Sequence, residues 1–171
     1  EIRLLQRWHG TTPLELLTKG ITDAWIVMLD GVEDPYNYGQ AIRAFYAAGA
    51  HGLVTRGRDW SHAAGTVARA SAGASELIPT ALVESVEDAA AVLRTAGLKI
   101  VVADKRRALP MYKANLRGGL FLIIGGEKRG VTRSFADSAD ARVAIPYGRD
   151  FDQALGTTAA AAALAFEVLR Q

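Results

Sequence analysis

The sequence predicts an α/β fold, built on a mostly parallel sheet with helices on both faces. Two observations lead to this prediction. Short, continuous apolar runs alternate with helical segments, a pattern typical of βαβ units. Polar stretches that contain glycine follow two of the apolar runs. Because ligands of open α/β sheets bind beyond the carboxyl ends of the strands, the two stretches mark a candidate ligand site.

The composition is that of one globular domain. The chain has 171 residues, of which 50% are hydrophobic and 22% charged, enough to bury a core. It contains no cysteine, which excludes disulfides, thiolate nucleophiles and cysteine-bound zinc, and no metal is expected. The net charge of +2 permits a nucleic-acid partner without requiring one. No apolar run of membrane-spanning length and no signal segment occur, so the expected location is cytoplasmic.

The first half of the chain alternates between predicted strands and helices. The run Ala24–Leu29 ends at Asp30-Gly31, as expected of a strand buried on both faces. Pro79 places the third strand at an edge or a strand end, and Ser85-Val86-Glu87-Asp88 is a capping-box pattern that begins the third helix. The predicted strands are 24–29, 52–55 and 77–80, and the predicted helices are 39–49, with Gly49 at its C-cap, 61–72 and 85–97.

The second half continues the alternation. Two further buried strands are predicted over 98–103 and 120–124, and a last strand over 142–145 is ended by Pro146. A long terminal helix is predicted over 154–170, where a run of alanines allows another element to approach closely. No repeat or linker divides the chain, so residues 1–23 are predicted to be a lead-in segment and residues 24–171 a single domain.

The first polar stretch is Asp34-Pro35-Tyr36-Asn37-Tyr38-Gly39. It is typical of a turn in which proline fixes φ and glycine begins the next helix. This places Asn37 just before the helix N-terminus and Arg43 one turn into the helix. A purely structural interpretation is equally open, with Asn37 as an N-terminal cap and Arg43 as a solvated helix residue.

The second polar stretch, Gly125-Gly126-Glu127-Lys128-Arg129-Gly130, follows Ile124. Its glycines allow backbone groups to approach a flat ligand closely, although a plain tight turn is the structural alternative. The stretch is not a nucleotide phosphate loop, and no dinucleotide fingerprint follows the first strand. This counts against a dinucleotide-binding oxidoreductase, which nevertheless stays a third functional hypothesis.

In this order and at this distance, the two stretches resemble the first two motifs of the SpoU/TrmH branch of the SPOUT RNA methyltransferases. The segment Ala70–Ala74 is similar to the family's intervening segment, and the resemblance runs from Val27 to the C-terminus. It implies a deep trefoil knot, a homodimer, S-adenosylmethionine as the methyl donor, and 2′-O-methylation of ribose in rRNA or tRNA. Residues 24–171 would then be the catalytic domain.

The resemblance also assigns residues to a site. Arg43 would contact the reacting ribose or its phosphate, and Asn37 and Glu127 would shape that catalytic site. The cofactor would bind in three loops, through Val102, Ala103, Ile124, Gly125, Gly126, Glu127, Gly130, Ile145, Pro146 and Leu155, the last of these in the first turn of the terminal helix.

The third motif departs from the family pattern. Ala154-Leu155-Gly156 stands where the family usually has Ser-Leu-Asn, so a hydroxyl and an amide are missing, although Gln153, Thr157 and Thr158 lie within a turn. This departure leaves a second hypothesis open, namely a homologue that binds cofactor and RNA but has lost or altered catalysis.

Methyl transfer requires that the ribose hydroxyl is oriented towards the methyl carbon and that a group accepts the hydroxyl proton. His9, His51 and His62 lie apart from both motifs in the sequence. The high pKa of a guanidinium, above about 12, favours Arg43 as a stabiliser of the developing alkoxide or a clamp on a neighbouring phosphate. The proton acceptor is left open between Arg43, Glu127 and water.

Basic residues gather in predicted loops, several of them after strand ends, namely Arg56, Arg58, Lys105, Arg106, Arg107, Lys128, Arg129 and Arg133. The predicted RNA contacts are Arg43, Lys105, Arg106, Lys128 and Arg129, with a solvated charged surface as the alternative for each cluster. Family members often carry an N-terminal RNA-binding extension, for which Glu1–Asp23 is too short.

Overall fold

The computed structural model describes residues 12–56, 63–126 and 131–171. Its strands are β1 (Trp25–Asp30), β2 (Gly52–Arg56), β3 (Thr80–Val83), β4 (Lys99–Ala103), β5 (Leu109–Pro110), β6 (Leu120–Gly125) and β7 (Ala141–Ala144). Its α-helices are α1 (Pro35–Ala47), α2 (Ala64–Ala70), α3 (Val86–Thr95), α4 (Arg133–Ser138) and α5 (Thr157–Arg170). Short 3-10 helices lie at Leu14–Leu17, Ala74–Glu76 and Met111–Lys113.

The strands form one sheet in the order β3-β2-β1-β6-β4-β7-β5, and every pairing in it is parallel. The central strands β1 and β6 pair along their whole length, from Trp25 opposite Leu120 to Asp30 opposite Gly125. The predicted α/β class with a mostly parallel sheet is therefore confirmed. The trefoil knot stays a prediction from the family resemblance.

Both faces of the sheet are buried, because side chains alternate between two apolar cores. On β1, Val27 and Leu29 point into one core and Ile26 and Met28 into the other. The first core lies under α1 and α5, and the second lies under α3 and α4. This is why the central strands occur in the sequence as continuous apolar runs instead of alternating ones.

Helix α1 begins earlier than predicted. Asp34 is its N-cap, and the Asp34 carboxylate accepts hydrogen bonds from the backbone amides of Tyr36 (3.0 Å) and Asn37 (3.4 Å). Pro35 occupies the first helical position, where its missing N–H costs nothing. The prediction that Asn37 precedes the helix is therefore wrong, since Asn37 lies in its first turn. The C-cap is Ala48, one residue before the predicted Gly49, which follows it with φ of +96°.

The third strand also differs from its prediction. Leu77 caps the 3-10 helix Ala74–Glu76 instead of starting a strand, and pairing begins at Thr80, after Pro79. The reason is local, because Gly73 at φ +84° turns the chain so that Ile78 donates its amide to Ala74. The strand lies at the sheet edge, as the proline indicated.

Other element boundaries agree with the predicted ones to within a few residues. Ser85 caps α3 by accepting a hydrogen bond from the Asp88 amide at 3.1 Å, which confirms the capping signal. The alanine-rich helix spans Ala64–Ala70 among the described residues, and the last strand ends at Ala144, one residue before the predicted end. Two short elements were not predicted, β5 and α4, because they are too short to show a period.

The described part of the lead-in segment packs against the sheet. Leu14 and Leu17 are buried in the core that α3 also covers, and the Thr12 amide donates to the Thr80 carbonyl at 2.9 Å. The division at residue 23 stays a prediction. Within the described residues, no helix is long and apolar enough to cross a membrane.

The end of α5 is held to the segment before β6. Glu167 is buried and accepts hydrogen bonds from Arg170 (2.7 and 2.9 Å) and from the Gln171 side chain (2.9 Å). Gln171 in turn bonds the Leu116 amide and the Ala114 carbonyl. The hydrogen bonds from Arg170, which have the largest effect, and from Gln171 lower the pKa of Glu167 to about 2.

We predict that Glu167→Gln lowers the midpoint of thermal unfolding by a few degrees at neutral pH. The folded pKa of Glu167 lies below its ordinary value of 4.5, so its carboxylate stabilises the fold above about pH 4.5 and loses this effect as the pH falls towards 2. The difference between wild type and variant should therefore shrink over that range. Unfolding measured against pH tests this, with the exposed Glu84→Gln as control. If the difference in unfolding midpoint between wild type and Glu167→Gln did not change with pH, the prediction would be contradicted.

Candidate active site

A cavity of about 520 Å³ opens at the carboxyl ends of β4, β6 and β7. Seven of the predicted cofactor residues line it: Val102, Ala103, Ile124, Gly125, Gly126, Ile145 and Leu155. Pro146 is not among its lining residues, but its neighbours Ile145 and Tyr147 are. Glu127 and Gly130 lie outside the described residues, as do Lys128 and Arg129. The structure thus brings three separate loops to one place.

The loop after β6 passes very close to the loop after β1. Gly126 donates its amide to the Asp30 carbonyl at 2.7 Å. A Cβ added to Gly126 would overlap the Gly31 carbonyl and approach the Val32 nitrogen to 2.9 Å. Only glycine fits this crossing, and it sets the path of the chain along one wall of the cavity.

The cavity lining is strongly charged. Its basic members are Lys105, Arg106, Arg107, Arg133 and Arg142, and its acidic members are Asp104 and Asp137. Both acids are engaged, since Asp104 accepts a bond from the Arg106 amide at 3.0 Å and Asp137 pairs with Arg142 at 2.8 Å. The excess of positive charge at this mouth favours anionic ligands.

The first motif contacts the beginning of α5 and not the cavity. The Thr158 hydroxyl lies 3.5 Å from both the carbonyl and the side-chain oxygen of Asn37. Arg43 is exposed, and neither it nor Asn37 lines the cavity of its own chain. The spacing between Asn37 and Arg43 puts them about 120° apart around the helix axis. Asn37 therefore contacts α5, and Arg43 lies on a different face of α1.

Gly39 has a different role from the predicted one. It lies inside α1 and does not begin it. A Cβ at Gly39 would come within 2.7 Å of the Val67 carbonyl and 2.8 Å of the Ala70 methyl group. The glycine is therefore needed for close packing of α1 on α2.

Beneath the first motif lies a buried polar group. Burial raises the pKa of Tyr38 to about 12, and a hydrogen bond with Thr55 opposes that rise to a lesser degree. Tyr38 is thus neutral at physiological pH. Asp30, at the end of β1, is buried and forms an ion pair with the half-exposed Arg56 of the next strand. Arg56 is thereby tied to the fold and is less available to a ligand than the sequence indicated.

Histidine takes no part in the described lining of the cavity. The Trp25 amide donates to Nδ1 of His51 at 3.0 Å. Trp25 is the first residue of β1, so this histidine lies at the amino end of the strand, whereas the cavity lies at the carboxyl ends. This agrees with its predicted distance from both motifs. His9 and His62 lie outside the described residues.

Helix α5 begins at Thr157, three residues later than predicted, because the preceding backbone is bonded elsewhere. The Gln153 carbonyl accepts bonds from Lys105 and from the Tyr147 hydroxyl, and the Leu155 amide donates to that hydroxyl. Leu155 therefore lies before the helix and not in its first turn, yet it lines the cavity. Gly156 is the N-cap and supplies no side-chain bond.

Residues 24–165 match the SpoU rRNA Methylase family.
The chain belongs to this family.

Relatives of this SpoU family member include two proteins named 23S rRNA (guanosine-2′-O-)-methyltransferase RlmB. The one from Burkholderia sp. is 30% identical over 85% of this chain and 59% of its own length. The one from Xanthomonas campestris is 31% identical over 86% of this chain and 59% of its own length. The chain thus spans about three fifths of the length of these curated relatives.

Two solved structures of methyltransferases share the fold of this chain. The AdoMet-bound rRNA methyltransferase from Sinorhizobium meliloti superposes with a TM-score of 0.82 at 28% identity, covering 94% of this chain and 61% of that one. The SpoU methyltransferase AviRb from Streptomyces viridochromogenes, also with AdoMet, gives 0.80 at 27% identity, covering 94% and 65%.

Sequence reasoning missed several cavity residues of this SpoU family member. Arg142 and Asp137 pair across the cavity wall, from β7 to α4, and Tyr147 holds the loop after β7. These residues belong to no sequence motif, because their roles depend on contacts that form only in the folded chain. The sequence places Thr158 only within a turn of the third motif, two residues after Gly156, and gives no sign of its contact with Asn37.

We predict that Gly126→Ala destabilises the fold by about 1–3 kcal/mol, the usual cost of overpacking, and deforms the cavity wall. Gly148→Ala is the matched control, because it lies in a loop near the same cavity and a Cβ there meets nothing within 4 Å. Urea unfolding of both variants measures the difference. Equal stability of the two variants would show that the crossing of the loops tolerates a methyl group.

Proposed function

We propose that this chain is an S-adenosylmethionine-dependent RNA methyltransferase that methylates a ribose 2′-hydroxyl in rRNA or tRNA. The observation that carries the proposal is the convergence of the three predicted cofactor loops on one cavity, in a chain that matches the SpoU family over residues 24–165. Because two relatives are named for 23S rRNA guanosine, rRNA is the first substrate to test.

The cavity suits the proposed cofactor in size and chemistry. Its volume of about 520 Å³ lies within the range of small-molecule sites. Apolar side chains such as Val102, Ile124 and Leu155 offer a surface for a flat base, and glycines at 125 and 126 leave backbone groups accessible. When bound, S-adenosylmethionine supplies an electrophilic methyl group on a positively charged sulfur. Together with Glu127 and Gly130, the lining residues named by the family motifs are proposed to hold it.

The residues of the chain then have to aim and activate the ribose hydroxyl. Arg43 is proposed to stabilise the oxygen as it loses its proton, or to clamp the adjacent phosphate. Asn37 and Thr158 are proposed to keep the first motif aligned with α5, since their side chains meet at 3.5 Å. Tyr38 is not available as a base, because it is buried and its pKa is about 12. The proposed proton acceptor is therefore one of three groups: Glu127, Arg43 or water.

We propose that the enzyme acts as a homodimer in which Arg43 serves the cavity of the partner copy. Arg43 does not line the cavity of its own chain and is exposed. Helix α5 also presents large apolar side chains to solvent, with Phe166 51% and Leu169 58% exposed. Their spacing puts them on one face of the helix, and such exposed apolar faces are typical of subunit contacts.

RNA is proposed to approach over the basic mouth of the cavity. Arg106, Arg107 and Arg133 line it, and Lys128 and Arg129 belong to the adjoining loop in the sequence. Several cations near one opening suit a phosphate backbone, whose binding would weaken with added salt.

The function is tested by incubating the protein with methyl-labelled S-adenosylmethionine and unmodified 23S rRNA or tRNA. We expect label in alkali-resistant dinucleotides, because a methylated 2′-oxygen cannot attack the neighbouring phosphate. The double variant A154S/G156N restores the family's third motif and serves as comparison. Asparagine fits at position 156, where φ is −57° and ψ is 149°. Transfer only by the double variant would establish the second hypothesis, a homologue with lost catalysis.

We predict that Arg43→Ala lowers the transfer rate about 10²–10³-fold, the typical effect of removing one stabilising donor, while S-adenosylmethionine binding is unchanged. Mixing this variant with Leu155→Asp, which alters the cavity, tests the arrangement of the dimer. Activity should return in the mixture, since one cavity would be intact and faced by an intact Arg43. A mixture as inactive as its components would show that Arg43 acts within its own chain.

A further inference from the structure

Lys105 donates to the backbone of a distant loop. Its ammonium lies 2.7 Å from the carbonyl oxygens of Asp152 and Gln153 and 3.5 Å from that of Phe151. It also lies 4.9 Å from the ring centroid of Tyr147, within cation–π range. The amino group is thus surrounded by a loop that follows it by more than forty residues.

That loop, residues 145–156, connects β7 to α5 and contains no helix or strand. Residues 148–156 are all exposed, so apolar burial contributes little to their position. Polar bonds hold the loop instead. Lys105 binds three of its carbonyls, and the Tyr147 hydroxyl bridges the Gln153 carbonyl (3.2 Å) and the Leu155 amide (3.0 Å). The Tyr147 ring also contacts Phe151, with ring centroids 6.1 Å apart.

The same loop forms one wall of the cavity. Ile145, Tyr147, Ala154 and Leu155 line it, and Lys105 lines it from the loop after β4. Lys105 therefore joins two walls of the cavity, and it holds Leu155 in place through the bonds to Gln153. A charged donor bonded to carbonyls contributes more than a neutral one.

We propose that Lys105 is a positioning residue, which together with Tyr147 fixes the loop 145–156 in the form that binds the methyl donor. The proposal rests on the proposed function and assigns Lys105 a role other than RNA binding. Its three donors converge on carbonyls of the protein, whereas a phosphate contact would require the ammonium to leave them.

The experiment compares Lys105→Met with Lys99→Met. Lys99 is a matched control, because its ammonium also bonds two backbone carbonyls, those of Asn115 (3.1 Å) and Arg117 (2.7 Å), in a segment outside the cavity. Trypsin cleavage after Arg149 reports how firmly the loop is held. Calorimetry with S-adenosylmethionine, and the KM and kcat of transfer, report the consequence for the site.

We expect Lys105→Met to be cut after Arg149 about tenfold faster and to bind the donor about tenfold more weakly, the effect of losing a charged hydrogen bond. The KM for the donor should rise while kcat stays near that of wild type, and Lys99→Met should behave as wild type in all three measurements. Tyr147→Phe should act in the same direction as Lys105→Met. The two changes together should cost less than the sum of the separate effects, because they hold one loop.

Unchanged cleavage after Arg149 in Lys105→Met would overturn the proposal. So would a raised KM for RNA with unchanged donor binding, which would make Lys105 an RNA contact. If wild-type protein bound no donor and transferred no methyl group, the proposed function would fail, while the cleavage rates would still decide whether Lys105 holds the loop.

Discussion

The contact between the loops that follow β1 and β6 is the constraint on which the site depends. Gly126 donates to the Asp30 carbonyl and leaves no room for a side chain against Gly31. Asp30 in turn pairs with Arg56 at the end of β2. The ends of the three adjoining strands β2, β1 and β6 are thereby fixed to one another. This rigid edge supports the first motif on one side and the cavity on the other.

The first and third motifs depend on each other through α1 and α5. Asn37 and Thr158 meet where the two helices pack, although more than one hundred residues separate them in the chain. The family's usual third-motif hydroxyl and amide are replaced by Ala154 and Gly156, and Thr158 brings a hydroxyl to the same helix end. The packing of α1 and α5 therefore gives the first motif a polar contact with the helix that follows the third motif.

The basic residues around the cavity divide by what they already contact. Lys105 is bonded to the loop after β7 and Arg142 to Asp137. These two cations stabilise the walls of the site. Arg106 and Arg107 are exposed at its mouth, where a ligand's negative charge is accessible to them. A cluster of like charges in a sequence can thus combine structural and ligand-binding roles.

The sequence alone determined the α/β class and the central strands, and it predicted the three loops that line the cavity. The apolar runs at β1, β4 and β6 are continuous and largely buried, and the second motif begins at the end of β6. Tertiary structure decided the rest, because it depends on distant partners. Helix α5 starts at Thr157 since Lys105 and Tyr147 bind the backbone before it. Arg43 does not line its own cavity, and α1 packs on α5 through the face that carries Asn37. Local patterns carry no information about such contacts, which form only when the chain has folded.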